Sequence, residues 1–213
     1  MASNSTESAG RPVSAMAAAT EGVDVDGLVR AAQAGDRQAF TKLVHVFSGP
    51  MYNLAYRMAG NADDAADLTQ EIFVKLYRAI GQFRYRSKFS TWLCSLAANT
   101  CRSGMRKLGR RRDREWLGLD NGLDNESQFH EAVDPGDKPD RVIARRETQA
   151  MIEGAIAKLP EAFRSVIVLR DLQGLAYDEI AEALCCSMGT VKSRLARARI
   201  RVRDDLMVRR DEM

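Results

Sequence analysis

Residues 118–140, GLDNGLDNESQFHEAVDPGDKPD, concentrate Gly, Asp, Asn and Pro, hold two copies of GLDN in succession, and show little apolar periodicity. A stretch of this kind has no hydrophobic stripe to bury, so it cannot continue a core. The chain is therefore divided: a flexible acidic linker over 116–139 separates a unit at 25–115 from a unit at 140–213. With 213 residues and 45% apolar side chains, each unit has enough material for a small core. Residues 1–24 are small and polar without periodicity, and read as a disordered tail.

Both units have helical period. Asp26–Ala34 reads as a short helix stopped by Gly35, and Asp36 caps a longer one running to about Ala59, kinked or broken at Pro50. Asn61 lies three residues before Asp64 and caps a helix to about Ile80. Ser87 or Ser90 caps the next, from about Thr91 to near Arg112. Beyond the linker, Arg141–Leu159, Glu161–Gln173, Tyr177–Cys185 and Gly189–Arg209 read as four helices. The expected fold class is all-α, two small helical domains joined by the acidic linker, the second of them a helix-turn-helix.

Net charge is only +3, but the basic residues are segregated. Arg102–Arg114 holds seven basic residues against one acidic, and Lys192–Arg203 holds six against none. Two basic segments in a near-neutral chain suit a nucleic-acid binder, although any long helix carries a charged solvated face. Projected at 100° per residue, Val191, Leu195, Ala198, Val202 and Leu206 form one stripe of the last helix, and Lys192, Ser193, Ala196, Arg197 and Arg203 the opposite arc. Long bidentate donors beside a small hydroxyl and a methyl are what a helix entering the major groove needs.

In the first unit, Ala65, Leu68, Ile72, Phe73, Leu76 and Ile80 share a core face, opposite Asp67, Gln70, Glu71, Val74 and Arg78. A valine amid those polar groups hints at a protein contact. On the following helix Leu93, Cys94, Ala97, Cys101 and Met105 face inward, while Trp92, Asn99, Arg102, Ser103 and Arg106 gather on the other side. Between these helices lies QFRYRSKFSTW, Gln82–Trp92, too short and interrupted for a strand in a helical setting. Rings stack on unpaired bases while Arg and Lys hold phosphates. That reading suits Arg84, Tyr85, Arg86 and Lys88; Phe83 and Phe89 read at least as well as core residues plugging the loop.

The remaining chemistry is sparse. Cys94 and Cys101 are seven apart, Cys185 and Cys186 are adjacent, no Cys-x-x-Cys occurs, and His45 and His130 are isolated. Reduced, packed thiols are expected, with no metal and no cofactor. Without a carboxylate cluster, metal set or phosphate-cradling loop, no catalytic residue is assigned and the chain is not read as an enzyme. No apolar run reaches the roughly 18 residues of a membrane span, and no signal pattern opens the chain, so a cytoplasmic protein is expected.

DLTQEIFVKLYRAIGQFRYRSKFSTWL, then AANT, then LPEAFRSVIVLRDLQGLAYDEIAEALCCSMGTVKSRLARAR together resemble the bacterial extracytoplasmic-function, or group four, sigma factors, over about 26–112 and 140–207. The resemblance implies an initiation subunit that binds RNA polymerase core, recognises −35 and −10 promoter elements and promotes melting. Asp67, Gln70, Glu71 and Val74 would dock on the clamp helices of the largest polymerase subunit. Phe83, Arg84, Tyr85, Arg86, Lys88, Trp92 and Asn99 would take non-template single strand at the −10 element, one base flipped into a pocket. Arg102, Arg106, Lys107 and Arg110 would hold the duplex backbone upstream. Thr190, Lys192, Ser193, Ala196 and Arg197 would read the −35 element, their domain seated on the flap of the second largest subunit. The acidic linker would thread the RNA exit path.

An anti-sigma factor, often membrane-bound, is the partner usual in such a family, and no homo-oligomer is expected. Housekeeping relatives wedge the duplex with two consecutive aromatics. Here Trp92 is followed by Leu93, so melting should lean on the loop. The alternative is a sigma mimic that sequesters an anti-sigma factor, which would need neither the basic loop nor a basic recognition helix.

Overall fold

The structure, a computed structural model, describes residues 15–115 and 139–211, with side chains at 16, 18–107 and 148–208. The acidic segment 116–138 and the tail 1–14 lie outside the described residues. Nine α-helices are described: α1 Ala15–Ala19, α2 Val25–Gln33, α3 Arg37–Ala59, α4 Ala62–Ala79, α5 Phe89–Glu115, α6 Pro139–Ala157, α7 Glu161–Ile167, α8 Tyr177–Ala183 and α9 Met188–Asp211. A 3-10 turn, Ile80–Gln82, follows α4, and a π turn, Val168–Leu172, follows α7. No strand occurs among the described residues.

Local chemistry sets most of the boundaries. Asp24 accepts from the Gly27 N–H, Asp36 from those of Gln38 and Ala39, and Asn61 from that of Asp64, so three helices start on side-chain caps. Gly60 ends α3 at φ 85°, a left-handed conformation that spares it a Cβ clash, and its N–H donates to the Tyr56 carbonyl at 2.7 Å. At α5 the Trp92 N–H donates to the Lys88 carbonyl, so Phe89 is the first helical residue and neither Ser87 nor Ser90 stands at the cap.

Pro50 does not break α3, which runs unbroken through it to Ala59. Pro50 is buried among Phe47, Met51 and Leu54, and tertiary packing on both sides outweighs the one backbone hydrogen bond it removes. The tail carries a helical turn where none was expected: Met16 of α1 is buried and α1 rests on α3. The helix expected over Glu161–Gln173 changes character at Val168, where the Gln173 N–H reaches the Val168 carbonyl five residues back.

In the N-terminal unit α3, α4 and α5 pack mutually around Leu43, Phe47, Met51, Leu54, Met58, Ile72, Leu76 and Leu93, all fully buried. α5 crosses α4 closely at Gly104, where a Cβ would lie 2.3 Å from Leu68. In the C-terminal unit α9 is covered by α6, α7 and α8, with Val191, Leu195 and Ala198 turned inward. Leu93, the residue after Trp92, is wholly a core side chain, which leaves a single ring at that point of α5.

The two units also touch: α3 meets α6 and α7, and α5 meets α8. Arg164 of α7 joins them most directly. Its guanidinium donates to the Met58 carbonyl near the end of α3 at 2.6 Å, to the Leu159 carbonyl at 2.9 Å, and to the Ala157 carbonyl at the end of α6. A cation there meets the negative ends of two helix dipoles. Burial pulls its pKa below the ordinary arginine value. Arg57 and Glu153 pair at 3.4 Å nearby.

Candidate nucleic-acid interface

The loop between α4 and α5 is built on an aromatic cluster. Phe83 and Phe89 are buried, at 4% and 2% exposure, with ring centroids 5.5 Å apart, and Phe47 of α3 backs Phe89 at 5.5 Å. Trp92 leans on both, at 5.2 and 5.8 Å, and is half-buried. Phe83 and Phe89 are therefore packed in the base of the loop, and the Phe83 ring, expected to meet the strand, presents almost no exposed surface to a base. Tyr85 is 40% exposed and packs against Phe83 with centroids 4.7 Å apart and the rings tilted by 55°, which holds its ring without hiding it. Arg84, Arg86 and Lys88 around it are exposed.

Tyr85 adopts φ 57°, a left-handed conformation rarely taken by a bulky side chain. Such a position costs on the order of 1–3 kcal/mol and persists only where its surroundings hold it. Its hydroxyl donates to the Gln33 Oε1 at 2.9 Å, and the Arg30 guanidinium lies 5.7 Å from its ring centroid. Gln33 and Arg30 lie about fifty residues away in sequence, and nothing local to α2 marks them. Beside Tyr85 opens a cleft lined by Thr20, Val23 and Asp24–Asp26 on one side and Arg86–Ser90 on the other.

Along α5, Asn99, Arg106 and Lys107 are exposed on the side away from the core, continuing the cationic surface from the loop. Arg102 is turned differently. Its Nε lies 3.3 Å from a Glu161 carboxylate oxygen, and a second nitrogen reaches the Leu184 carbonyl at 3.5 Å. The side chain of Arg110 lies outside the described residues.

On α9, Lys192, Ser193, Ala196 and Arg197 are all exposed along one arc. Thr190 is half-buried because it closes the turn: its N–H donates to the Ser187 Oγ at 3.1 Å, and the two hydroxyls are 2.9 Å apart. Thr190 thus shapes the helix start. Three other basic residues of the run are engaged within the domain: Arg199 forks onto Asp171, Arg201 covers the Phe163 ring at 4.7 Å, and Arg203 pairs with Asp204, while Arg194 is half-buried. Lys192 and Arg197 are left at the tip of the exposed arc.

On α4, Asp67, Gln70 and Val74 are exposed, Val74 at 49%, while Glu71 is half-buried and paired with Lys75 at 2.8 Å. This surface lies on the outer side of the N-terminal unit, away from its core face.

Cys94 and Cys101 are buried, and burial pushes both thiols up to about 12. Cys186 is half-buried; Cys185, at φ 50° in the helix-turn-helix turn, is exposed, so the expectation of packing fails for it. Among the described residues no three metal-ligating side chains lie together, and no helix is long and apolar enough to cross a membrane.

Comparison with known proteins agrees with this layout. The family model Sigma-70 region 2 matches residues 43–111, and Sigma-70, region 4 matches 149–202. The chain is 38% identical over 175 residues to the RNA polymerase sigma-H factor of Pseudomonas aeruginosa, covering 81% of this chain and 88% of that one. It is 36% identical to the ECF RNA polymerase sigma-E factor of Haemophilus influenzae, covering 81% and 89%. It is 34% identical to the ECF RNA polymerase sigma factor SigW of Bacillus subtilis, covering 84% and 94%. Two solved structures share the fold at 24% identity. One is the sigma factor RpoE of Bartonella quintana in complex with the anti-sigma factor NepR, with a TM-score of 0.60 over 79% of this chain and 97% of that one. The other is CnrH in complex with the cytosolic domain of CnrY, with a TM-score of 0.59 over 87% and 99%.

Proposed function

This chain belongs to the extracytoplasmic-function sigma factors of bacterial RNA polymerase, a family of initiation factors rather than enzymes, and from that premise we propose how it engages a promoter. It binds core polymerase through the α4 surface of Asp67, Gln70, Glu71 and Val74 against the clamp helices, with the C-terminal unit on the flap. It reads the −35 element in the major groove with Lys192, Ser193, Ala196 and Arg197. It captures non-template single strand at the −10 element with Tyr85, flanked by Arg84, Arg86 and Lys88, while Trp92 and Asn99 extend that surface along α5. Arg106 and Lys107 hold the duplex backbone upstream, joined by Arg102 once it is released from Glu161 and by Arg110.

The observation that carries this reading is the exposure of both basic surfaces at once. Arg84, Tyr85, Arg86 and Lys88 stand out from one unit, and Lys192 and Arg197 from the other, each on a frame of buried apolar residues. Phosphate contacts give affinity and position, ring and base-edge contacts give sequence. By analogy with the relatives solved in complex, the chain is held inactive by an anti-sigma factor and acts on polymerase in the cytoplasm.

Transcription in vitro with purified core polymerase on genomic DNA tests the proposal. Start sites preceded by two common elements at fixed spacing are expected. Absence of any promoter-directed transcript would instead favour a mimic that only sequesters an anti-sigma factor.

A further inference from the structure

Gln33 is the last residue of α2 and is half-buried beneath the loop that presents Tyr85. Its side-chain amide uses both ends. The Nε2 donates to the Ile80 carbonyl at 2.9 Å and to the Phe83 carbonyl at 3.0 Å, while the Oε1 accepts the Tyr85 hydroxyl at 2.9 Å. The orientation of the amide follows from its partners, since two carbonyls demand a donor and a phenol hydroxyl supplies one. One side chain therefore pins the start of the 3-10 turn, the backbone two residues before Tyr85, and the tip of Tyr85 itself.

We propose that Gln33 is the positioning residue of the single-strand loop: it locks Tyr85 in its left-handed backbone conformation, with the ring tilted against Phe83 and partly exposed beside the cleft. The inference rests on the reading of Tyr85 as a strand-contacting ring. Without Gln33 the Ile80 and Phe83 carbonyls lose a donor, the phenol loses its acceptor, and Tyr85 relaxes toward an ordinary backbone conformation that carries its ring elsewhere. The Phe83–Phe89–Trp92 ring cluster below would persist, because Gln33 reaches only the Phe83 backbone carbonyl and none of the rings. Loss of Gln33 should thus leave the fold and the polymerase contact in place and act on the step in which an unpaired base must find a pre-set ring.

Holoenzymes carrying Gln33→Leu, Tyr85→Phe, Tyr85→Ala and the Gln33→Leu/Tyr85→Ala double are compared on one promoter. Closed-complex affinity is read by anisotropy and opening by 2-aminopurine fluorescence in the non-template strand. Gln33→Leu is expected to slow opening by roughly three- to tenfold, a part of the net worth of the three neutral hydrogen bonds it removes, with closed-complex affinity within about twofold. Tyr85→Phe should slow it part of the way, and the double should be no slower than Tyr85→Ala alone. If Tyr85→Ala slows opening but Gln33→Leu does not, or if the two effects multiply in the double, the positioning role is overturned while the strand-contact reading stands. If Tyr85→Ala is itself without effect, the strand-contact reading falls first. Should Gln33→Leu fail to fold, unchanged opening in Tyr85→Phe overturns the role on its own.

Discussion

Arg102 of α5 and Glu161 at the start of α7 meet across the two units, Nε to carboxylate oxygen at 3.3 Å. The arginine proposed to hold promoter backbone is thus occupied by the unit proposed to read the −35 element. Both side chains keep part of their surface in water, so the pair is of the partly exposed kind, worth about 0.5–1 kcal/mol. Glu161→Gln is expected to release Arg102 and raise duplex affinity of the free chain by roughly two- to fivefold at low salt, by anisotropy. Arg102→Ala should lower affinity uniformly across sequences and reduce the salt slope by about 1. Unchanged affinity in Glu161→Gln would mean that the pair does not limit access to Arg102.

Arg164 is the stability counterpart. Its guanidinium serves three carbonyls, two of them at the ends of α3 and α6, so truncation leaves helix-terminal acceptors buried without donors. Arg164→Ala is expected to cost about 2–4 kcal/mol, read from the midpoint of urea unfolding. Arg164→Lys should recover little, because the single nitrogen of an ammonium cannot span the acceptors that the two terminal guanidinium nitrogens reach. A midpoint unmoved by both substitutions would show that the contact between units contributes nothing.

On α9, proposed to read the −35 element, Arg197→Ala is expected to cost about 1–3 kcal/mol and relax base preference at one −35 position, with Lys192→Ala acting at a neighbouring one. Transcription from templates randomised over the −35 element reads this directly. An identical preference at every position in both variants would remove α9 from sequence reading.

Val74 is 49% exposed among polar neighbours, a poor place for an apolar side chain unless something covers it. Val74→Glu should leave thermal stability within about 0.5 kcal/mol, as for most surface changes, yet lose core-polymerase binding in competition assays. Normal competition would place the clamp contact elsewhere.

The buried thiols give a pH signature. Cys94 and Cys101 are raised from 9.0 to about 12, so in the pH range between those values the native state keeps protons that the unfolded state has released. Their contribution to stability is complete below about pH 9 and declines as pH rises, by roughly 1.4 kcal/mol per pH unit for each thiol. Urea midpoints between pH 8 and 10.5 should fall less steeply in Cys94→Ala/Cys101→Ala than in the parent chain. In the native chain at pH 8, a thiol reagent should label Cys185 first and leave Cys94 and Cys101 untouched until unfolding; early labelling of Cys94 would contradict its burial.

Much of this protein was readable in one dimension because its determinants are local. Helical period placed the core faces of α4, α5 and α9, and Asp36 and Asn61 announced their caps, since a cap bonds two or three residues away. The exposed arc of Lys192, Ser193, Ala196 and Arg197 followed from 100° steps alone. What the sequence could not decide depends on residues distant along the chain. Pro50 reads as a kink or a break, but α3 continues through it because its flanks are fixed by α4 and α5. In QFRYRSKFSTW Phe83 reads at least as well as core as it does as a strand contact; the cluster with Phe89 and Trp92, backed by Phe47, is what buries it while Tyr85 stays exposed. Arg102 looks free in a basic run until α7 brings Glu161 to it, and Gln33 is unremarkable until the fold carries Ile80, Phe83 and Tyr85 to its amide. Periodicity fixes which way a side chain points relative to its own helix axis; which partner awaits it there is set by the packing of helices, and that is a property of the tertiary structure alone.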